Sequence, residues 1–337
     1  MCLSGFVTSI ACHLIISQHK RTPVLVAYSV ELCYNFARVH LFPTTSEGDD
    51  MTRREIAFVN RKGGSGKTTT VFNVAGALLE RGYSILAIDL DPQGSFSKSL
   101  QVYPTGSVTL SGVLLSPSER FRELIQTSWI VGLDVIPADP DLKAVDRQLA
   151  PLPSRELRLR RCLTRYLPAG YDFVLIDCPP SLDLLSINAL VAASDLILPV
   201  DGGSFGMEAL NDTLETIQAV KQSLRYDLSI LGILLSNVNL RTTYDQVAQE
   251  TLRERFGTLV FRTIIPNSIR VDEASQLGRP LVFYDPSSPL AQAYRNLAAE
   301  IVERGAAHGH QAGLQTFSTA NPFTTQVGRP ERAGAFA

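Results

Sequence analysis

Between Glu55 and about Arg304 the chain alternates short, almost uninterrupted apolar runs with longer stretches in which apolar residues recur every three or four positions. Runs that are apolar throughout suit strands buried on both faces, and the 3.6-residue recurrence suits helices that pack on them along one stripe. The pattern predicts strands at 56–60 (IAFVN), 84–89 (SILAID), 133–138 (LDVIPA), 173–178 (FVLIDC), 196–200 (LILPV) and 230–238 (ILGILLSNV). It predicts helices over Lys67–Arg81, Ser154–Leu167, Gly206–Ser223, Thr243–Phe256 and Pro289–Arg304, with Gly82, Pro168, Gly257 and Gly305 as stop signals. Strand and helix in alternation, without an internal repeat, imply an α/β fold: a doubly wound, mostly parallel sheet with helices on both faces.

The flanks lack this pattern. Residues 1–20 (MCLSGFVTSIACHLIISQHK) are apolar but interrupted by His13 and Gln18, too short an apolar stretch for a spanning helix and without the basic start and cleavage site of a signal peptide. Met51 opens a short polar lead into the first strand, so residues 1–50 read as a non-native or disordered extension ahead of a biological start at Met51. One domain then covers 51–304, and residues 305–337, rich in Gly, Ala, Thr and Pro without periodicity, read as a disordered tail.

Composition narrows the function classes. With 337 residues, 45% hydrophobic and 19% charged, the chain can bury a sizeable core. A net charge of −2 excludes a global basic field, so any nucleic-acid contact must be a local patch. The five cysteines are odd in number, scattered and free of C-x-x-C spacing, which argues against a disulfide framework or a zinc site and fits a reducing cytoplasm.

The chemistry begins in NRKGGSGKTTT, Asn60 to Thr70, between the first strand and the first helix. Gly63, Gly64 and Gly66 permit a backbone that aims successive N–H groups, those of Ser65 and its neighbours included, at a phosphate chain, and the helix start adds its positive end. In such a loop Lys67 reaches the β- and γ-phosphates, the Thr68 hydroxyl ligates Mg²⁺, and Thr69 follows in the first helical turn. Arg61 stands where the G-x-x-x-x-G-K-[ST] pattern has its first glycine, so the loop is a variant.

Two acidic strand ends accompany it. AIDLDPQGSFS carries Asp89 and Asp91 at the end of an apolar strand, and YDFVLIDCPPSLD ends four apolar residues on Asp177, the Walker B arrangement. Carboxylates beyond the carboxyl ends of parallel strands face the ligand crevice and can hold magnesium waters or orient an attacking water. Asp91, just before Pro92, also has the form of a turn cap. Cys178 has no histidine partner in any of these motifs and reads as a small buried residue.

The form K-G-G-x-G-K-[ST] resembles the deviant Walker A ATPases that include ParA, Soj and MinD, and the likeness covers most of Glu55–Arg304. It implies a P-loop ATPase using ATP and Mg²⁺. Lys62 would cross the interface of an ATP-dependent homodimer to the other subunit's phosphates, Asp91 would position the hydrolytic water, and Asp89 and Asp177 would support the metal. LLSNVN and the segment from Arg262 resemble the family's adenine side, where Asn237 would bond the adenine edge and Pro266 would pack near the base. Ser95, Asn267, Ser275 and Gly203 depart from the family's usual Asn, Arg, Pro and Glu. The absent cysteine pattern counts against the nitrogenase iron protein.

Within the family, nothing after Arg304 resembles MinD's membrane-binding amphipathic helix, so no membrane partner is expected. The ParA branch implies non-specific DNA binding by the ATP dimer, a ParB-like partner that stimulates hydrolysis, and nucleoid association in the cytoplasm. Candidate phosphate contacts are Arg241, Arg253, Arg255, Arg262, Arg270 and Arg279, which would make binding fall steeply with salt. Arg158, Arg161 and Arg165 read as a solvated helix face. The alternative is a nucleotide-switched positioning or scaffold protein for another cargo, with little turnover.

Overall fold

The structure, a computed structural model, describes residues 53–311 apart from Gly203, Asp227 and Leu240. The readings made for residues 1–50, for Gly203 and for the tail beyond Gln311 lie outside the described residues. The strands are β1 Arg54–Phe58, β2 Ile85–Asp89, β3 Gln126–Thr127, β4 Leu133–Ile136, β5 Phe173–Asp177, β6 Asp195–Val200 and β7 Ser229–Leu235. They form one sheet in the order β3-β4-β2-β5-β1-β6-β7. All pairs are parallel except the edge pair β3–β4.

The apolar runs explain the layers. In β1, β2 and β5 successive buried residues point to opposite faces, so Ile56, Phe58, Ile85, Ala87, Phe173 and Leu175 join one core while Ala57, Leu86, Ile88, Val174 and Ile176 join the other. The first core is covered by α1 (Lys67–Glu80) and by a C-terminal helix, Pro289–Gln311. The second is covered by helices that precede and follow β5 and β6. The chain leaves β1 toward β2 and leaves β5 toward β6, two adjacent strands whose connections part in opposite directions. Their carboxyl ends therefore border the crevice of a doubly wound sheet.

The helical pattern was less complete than the strand pattern. The short helices α2 (Ser95–Ser99), α3 (Leu110–Leu115), α4 (Leu142–Leu149) and α6 (Leu184–Ala192) are too brief to display a full apolar period. The helix predicted over 154–167 is broken: Ser154 takes a left-handed φ of 51°, a 3₁₀ turn follows, and α5 runs only Arg158–Arg165. Arg158 corrects the solvated-face reading, because it is buried and its guanidinium donates to the carbonyls of Leu115 (3.2 Å) and Pro153 (2.7 Å).

Beyond β6, the helices α7 (Ser204–Leu224) and α8 (Thr243–Phe256) lie where the pattern places them, and the short helices α9 (Ile269–Gln276) and α10 (Leu281–Tyr284) lead into α11, Pro289–Gln311. α11 does not stop at Gly305 but continues to Gln311, so residues 305–311 are helix rather than tail. Gly305 is a close-approach residue: a Cβ there would stand 1.4 Å from Arg54 Nη1. Arg54 is itself buried, donating to Asp195 Oδ2 at 2.6 Å and to the Ile301 carbonyl at 3.0 Å, which ties α11 to the start of β1.

Candidate nucleotide and metal site

The loop after β1 has the backbone its glycines predict. Gly64 and Gly66 sit at φ 75° and 83°, and Gly66 is the residue from which α1 springs. A side chain at either position would strain the turn that directs N–H groups inward. The loop is held from β6 and β7 as well as from α1. Asn60 Nδ2 donates to the Pro199 carbonyl at 2.6 Å, Asn60 Oδ1 accepts from the Lys62 amide at 2.9 Å, and Ser236 Oγ donates to the Ser65 carbonyl at 2.7 Å.

Lys67 begins α1 with its ammonium turned back over the loop, donating to the Lys62 carbonyl at 3.1 Å, and the residue is 6% exposed. Burial lowers its pKa, against the opposing pull of Asp177, Cys178 and Asp91. Facing it is Asp177 at the end of β5, in register with Phe58 of β1 and Asp89 of β2 and 0% exposed. Burial, then the nearby Asp89 charge, hold the Asp177 carboxyl well above the ordinary carboxylate range. The Thr68 hydroxyl is close enough to pull it back down, yet neither Asp177 oxygen has a hydrogen bond of ordinary geometry among the described residues.

The two acids of β2 and its loop behave differently. Asp89 Oδ2 accepts from Ser97 Oγ (2.6 Å) and from the Ser97 amide (2.9 Å), and Oδ1 accepts from the Asp91 amide (3.2 Å). Burial nonetheless pushes its pKa up to about 6, the Ser97 bonds opposing that rise. Asp91 Oδ1 accepts from the Gln93 amide at 2.8 Å, which is the turn cap foreseen as its second reading. Ser95 begins α2 on the exposed surface, one residue after Gly94.

This arrangement fits a nucleotide with Mg²⁺. Ser65 Oγ and both Asp177 oxygens are buried polar atoms with no hydrogen-bond partner among the described residues. Buried polar atoms without partners are uncommon unless a ligand completes them. They lie on the loop after β1 and at the adjacent end of β5, with Lys67 between the two in charge.

Residues expected around a base also meet. Pro266 forms an isolated parallel bridge with Val238, the residue after Asn237, and Asn237, at φ 57°, accepts a 2.6 Å bond from Asn267 Nδ2. The strand predicted to reach Val238 ends at Leu235, because Ser236 turns to the phosphate loop and Asn237 turns left-handed.

Lys62 Nζ pairs with Asp201 Oδ2 at 2.5 Å inside its own protomer. Among the arginines, Arg241, Arg255, Arg262, Arg270 and Arg279 are exposed. Arg253 donates to the carbonyls of Phe261 and Arg262, Arg262 pairs with Glu303, Arg270 pairs with Glu273 at 3.3 Å, and Arg279 lies over the Trp129 ring at 6.0 Å. Sequence reasoning missed Ser97, Ser236 and Asp201. Ser97 sits eight residues from its partner Asp89, a spacing no local motif encodes, and the other two are brought in by the sheet alone.

Comparison with known proteins agrees with the geometry. The AAA_31 family model, described as an AAA domain, matches residues 53–230. The sporulation initiation inhibitor protein Soj of Bacillus subtilis is 37% identical over 250 residues, 74% of this chain and 98% of Soj. The chromosome partitioning protein ParA of Caulobacter vibrioides is 39% identical over 253 residues, 74% of this chain and 94% of ParA. A solved cobyrinic acid a,c-diamide synthase from Mycobacterium smegmatis, with bound ADP and magnesium, has a TM-score of 0.66 and 32% identity over 76% of this chain and 97% of its own. The chain belongs to the ParA/Soj family of P-loop partition ATPases.

Proposed function

We propose that this ATPase is a DNA-partition switch in which ATP binding and pairing of two copies are one event. The observation that carries the reading is the fully buried Asp177, both oxygens unpaired, set against Lys67 at the mouth of a glycine loop. Gly63, Gly64, Ser65, Gly66, Lys67, Thr68 and Thr69 bind the phosphates, Thr68 and Asp177 hold Mg²⁺, and Asp89, fixed by Ser97, supports the metal shell. When bound, Mg²⁺ neutralises charge developing on the β- and γ-phosphates. Asp91 leaves its turn-cap contact to orient the attacking water, and Asn237 with Pro266 receives the base. The Soj and ParA relatives, and the ADP and magnesium in the Mycobacterium structure, support this assignment of ligands.

In the same reading Lys62 reaches the phosphates of a second copy and stabilises their charge. The paired copies bind DNA non-specifically through arginines such as Arg241 and Arg255, and a ParB-like protein stimulates hydrolysis and separates them. The setting is the cytoplasm, on the nucleoid. Among the described residues no helix is long and apolar enough to cross a membrane.

Phosphate release and nucleotide binding test the roles together. Lys67→Ala is expected to abolish nucleotide binding, a loss of at least about a hundredfold, since the buried ammonium has no substitute. Asp91→Ala is expected to bind ATP normally, release phosphate at least about a hundredfold more slowly, and accumulate as the ATP dimer. Wild-type protein that releases no phosphate with DNA and partner present would instead favour the nucleotide-switched scaffold.

A further inference from the structure

Lys62 has a counter-charge of its own, and that contact is built rather than incidental. Its Nζ lies 2.5 Å from Asp201 Oδ2, with the two side chains 26% and 15% exposed. The backbone of Lys62 is fixed on both sides, its amide donating to Asn60 Oδ1 and its carbonyl accepting from Lys67 Nζ. Only the side chain is left to move. Asp201 follows β6 directly, two residues after Pro199, whose carbonyl already holds Asn60.

Asp201 cannot easily turn elsewhere. The first turn of α7 closes over it through Gly206, where a Cβ would stand 2.4 Å from the Asp201 carbonyl oxygen and 2.6 Å from Oδ1. Oδ1 is buried without a hydrogen-bond partner among the described residues, so Lys62 is the contact that satisfies this carboxylate. A half-buried carboxylate with one oxygen unsatisfied loses more on parting from its cation than an exposed one does. The neighbouring Arg61–Asp212 pair, also between the loop and α7, is far more exposed and restrains less.

We infer that Asp201 is a positioning residue that keeps the Lys62 ammonium within its own protomer, so that each copy must break one Asp201–Lys62 pair before the lysine can reach a partner's phosphates. This rests on the proposed trans role of Lys62. A triphosphate presents several negative charges to the same ammonium and can displace one carboxylate, whereas a partner surface without nucleotide cannot. Asp201 thus sets a threshold against pairing of unloaded copies, and every dimer releases two such pairs.

Sedimentation velocity with Mg²⁺ and AMPPNP tests it on Asp201→Asn, which keeps the shape and removes the charge. An exposed to half-buried pair is worth about 1.4- to 5-fold, so two released pairs give dimers about 2- to 25-fold tighter than wild type. Lys62→Ala runs alongside. If Lys62→Ala stays monomeric and Asp201→Asn dimerises no more tightly than wild type, the positioning role is wrong and the trans lysine stands. If Lys62→Ala dimerises like wild type, both fall. A second measurement needs no variant: carbodiimide coupling of the wild-type chain without nucleotide is expected to join Lys62 to Asp201, detected by mass spectrometry, and to lose that product when Mg²⁺ and AMPPNP are added. Its absence, or its persistence with nucleotide, overturns the inference.

Discussion

Asp177 concentrates the conflict between stability and function in one side chain. Its carboxyl is fully buried, lies beside Asp89 in register, and has no hydrogen-bond partner among the described residues. Both acids have pKa values raised by burial, Asp89 to about 6 from an ordinary 3.8. A raised acid pKa means that the folded chain holds the proton more tightly than the unfolded chain. The favourable contribution is therefore complete below the ordinary pKa and is lost as pH rises through the raised one. Asp177→Asn is expected to stabilise protein without added nucleotide or Mg²⁺ by about 1–3 kcal/mol at pH 7.5, roughly 3–10 °C in Tm. The gain shrinks toward pH 4, and the variant loses the extra stabilisation that Mg²⁺ with ATP gives wild type. A melting series across pH, with and without ligand, checks both halves, and a variant less stable than wild type at pH 7.5 contradicts the account.

At the scale of elements, what could be read in advance depended on how periodic each segment is. Every strand predicted from an apolar run is present, with ends shifted by one or two residues except at β7, where the run continues into Ser236, Asn237 and Val238. The phosphate loop was legible because glycine spacing is itself the signal, and so was Asp177, because four apolar residues before an acid mark a buried strand end. Asp201 was not legible, since its partner lies 139 residues away across adjacent strands. Gly305 was misread for an instructive reason: glycine ends helices, but it also lets helices touch. Gly→Ala inside a helix ordinarily stabilises by about 1 kcal/mol. Here the added methyl would overlap the Arg54 guanidinium and strain its bonds to Asp195 and Ile301, so Gly305→Ala is expected to destabilise by about 1–3 kcal/mol. Urea unfolding gives the sign, and a stabilised variant would show that Arg54 does not lock α11.

The whole molecule is a sheet whose central strand ends deliver one cradle, with the loop that forms it moored to β6, β7 and α7. In the proposed assignment one protomer supplies Lys67, Thr68, Asp89, Asp91 and Asp177 for a nucleotide, and a further cation, Lys62, is paired with Asp201 of its own protomer. In the proposed switch that cation belongs to the neighbour's nucleotide, which makes pairing depend on occupancy. The most direct measurement is sedimentation velocity of Lys62→Ala at saturating Mg²⁺ and AMPPNP, with nucleotide binding measured on the same sample. A chain that binds nucleotide within a few-fold of wild type yet sediments as a monomer is the expected result; a nucleotide-loaded Lys62→Ala dimer as tight as wild type would contradict it.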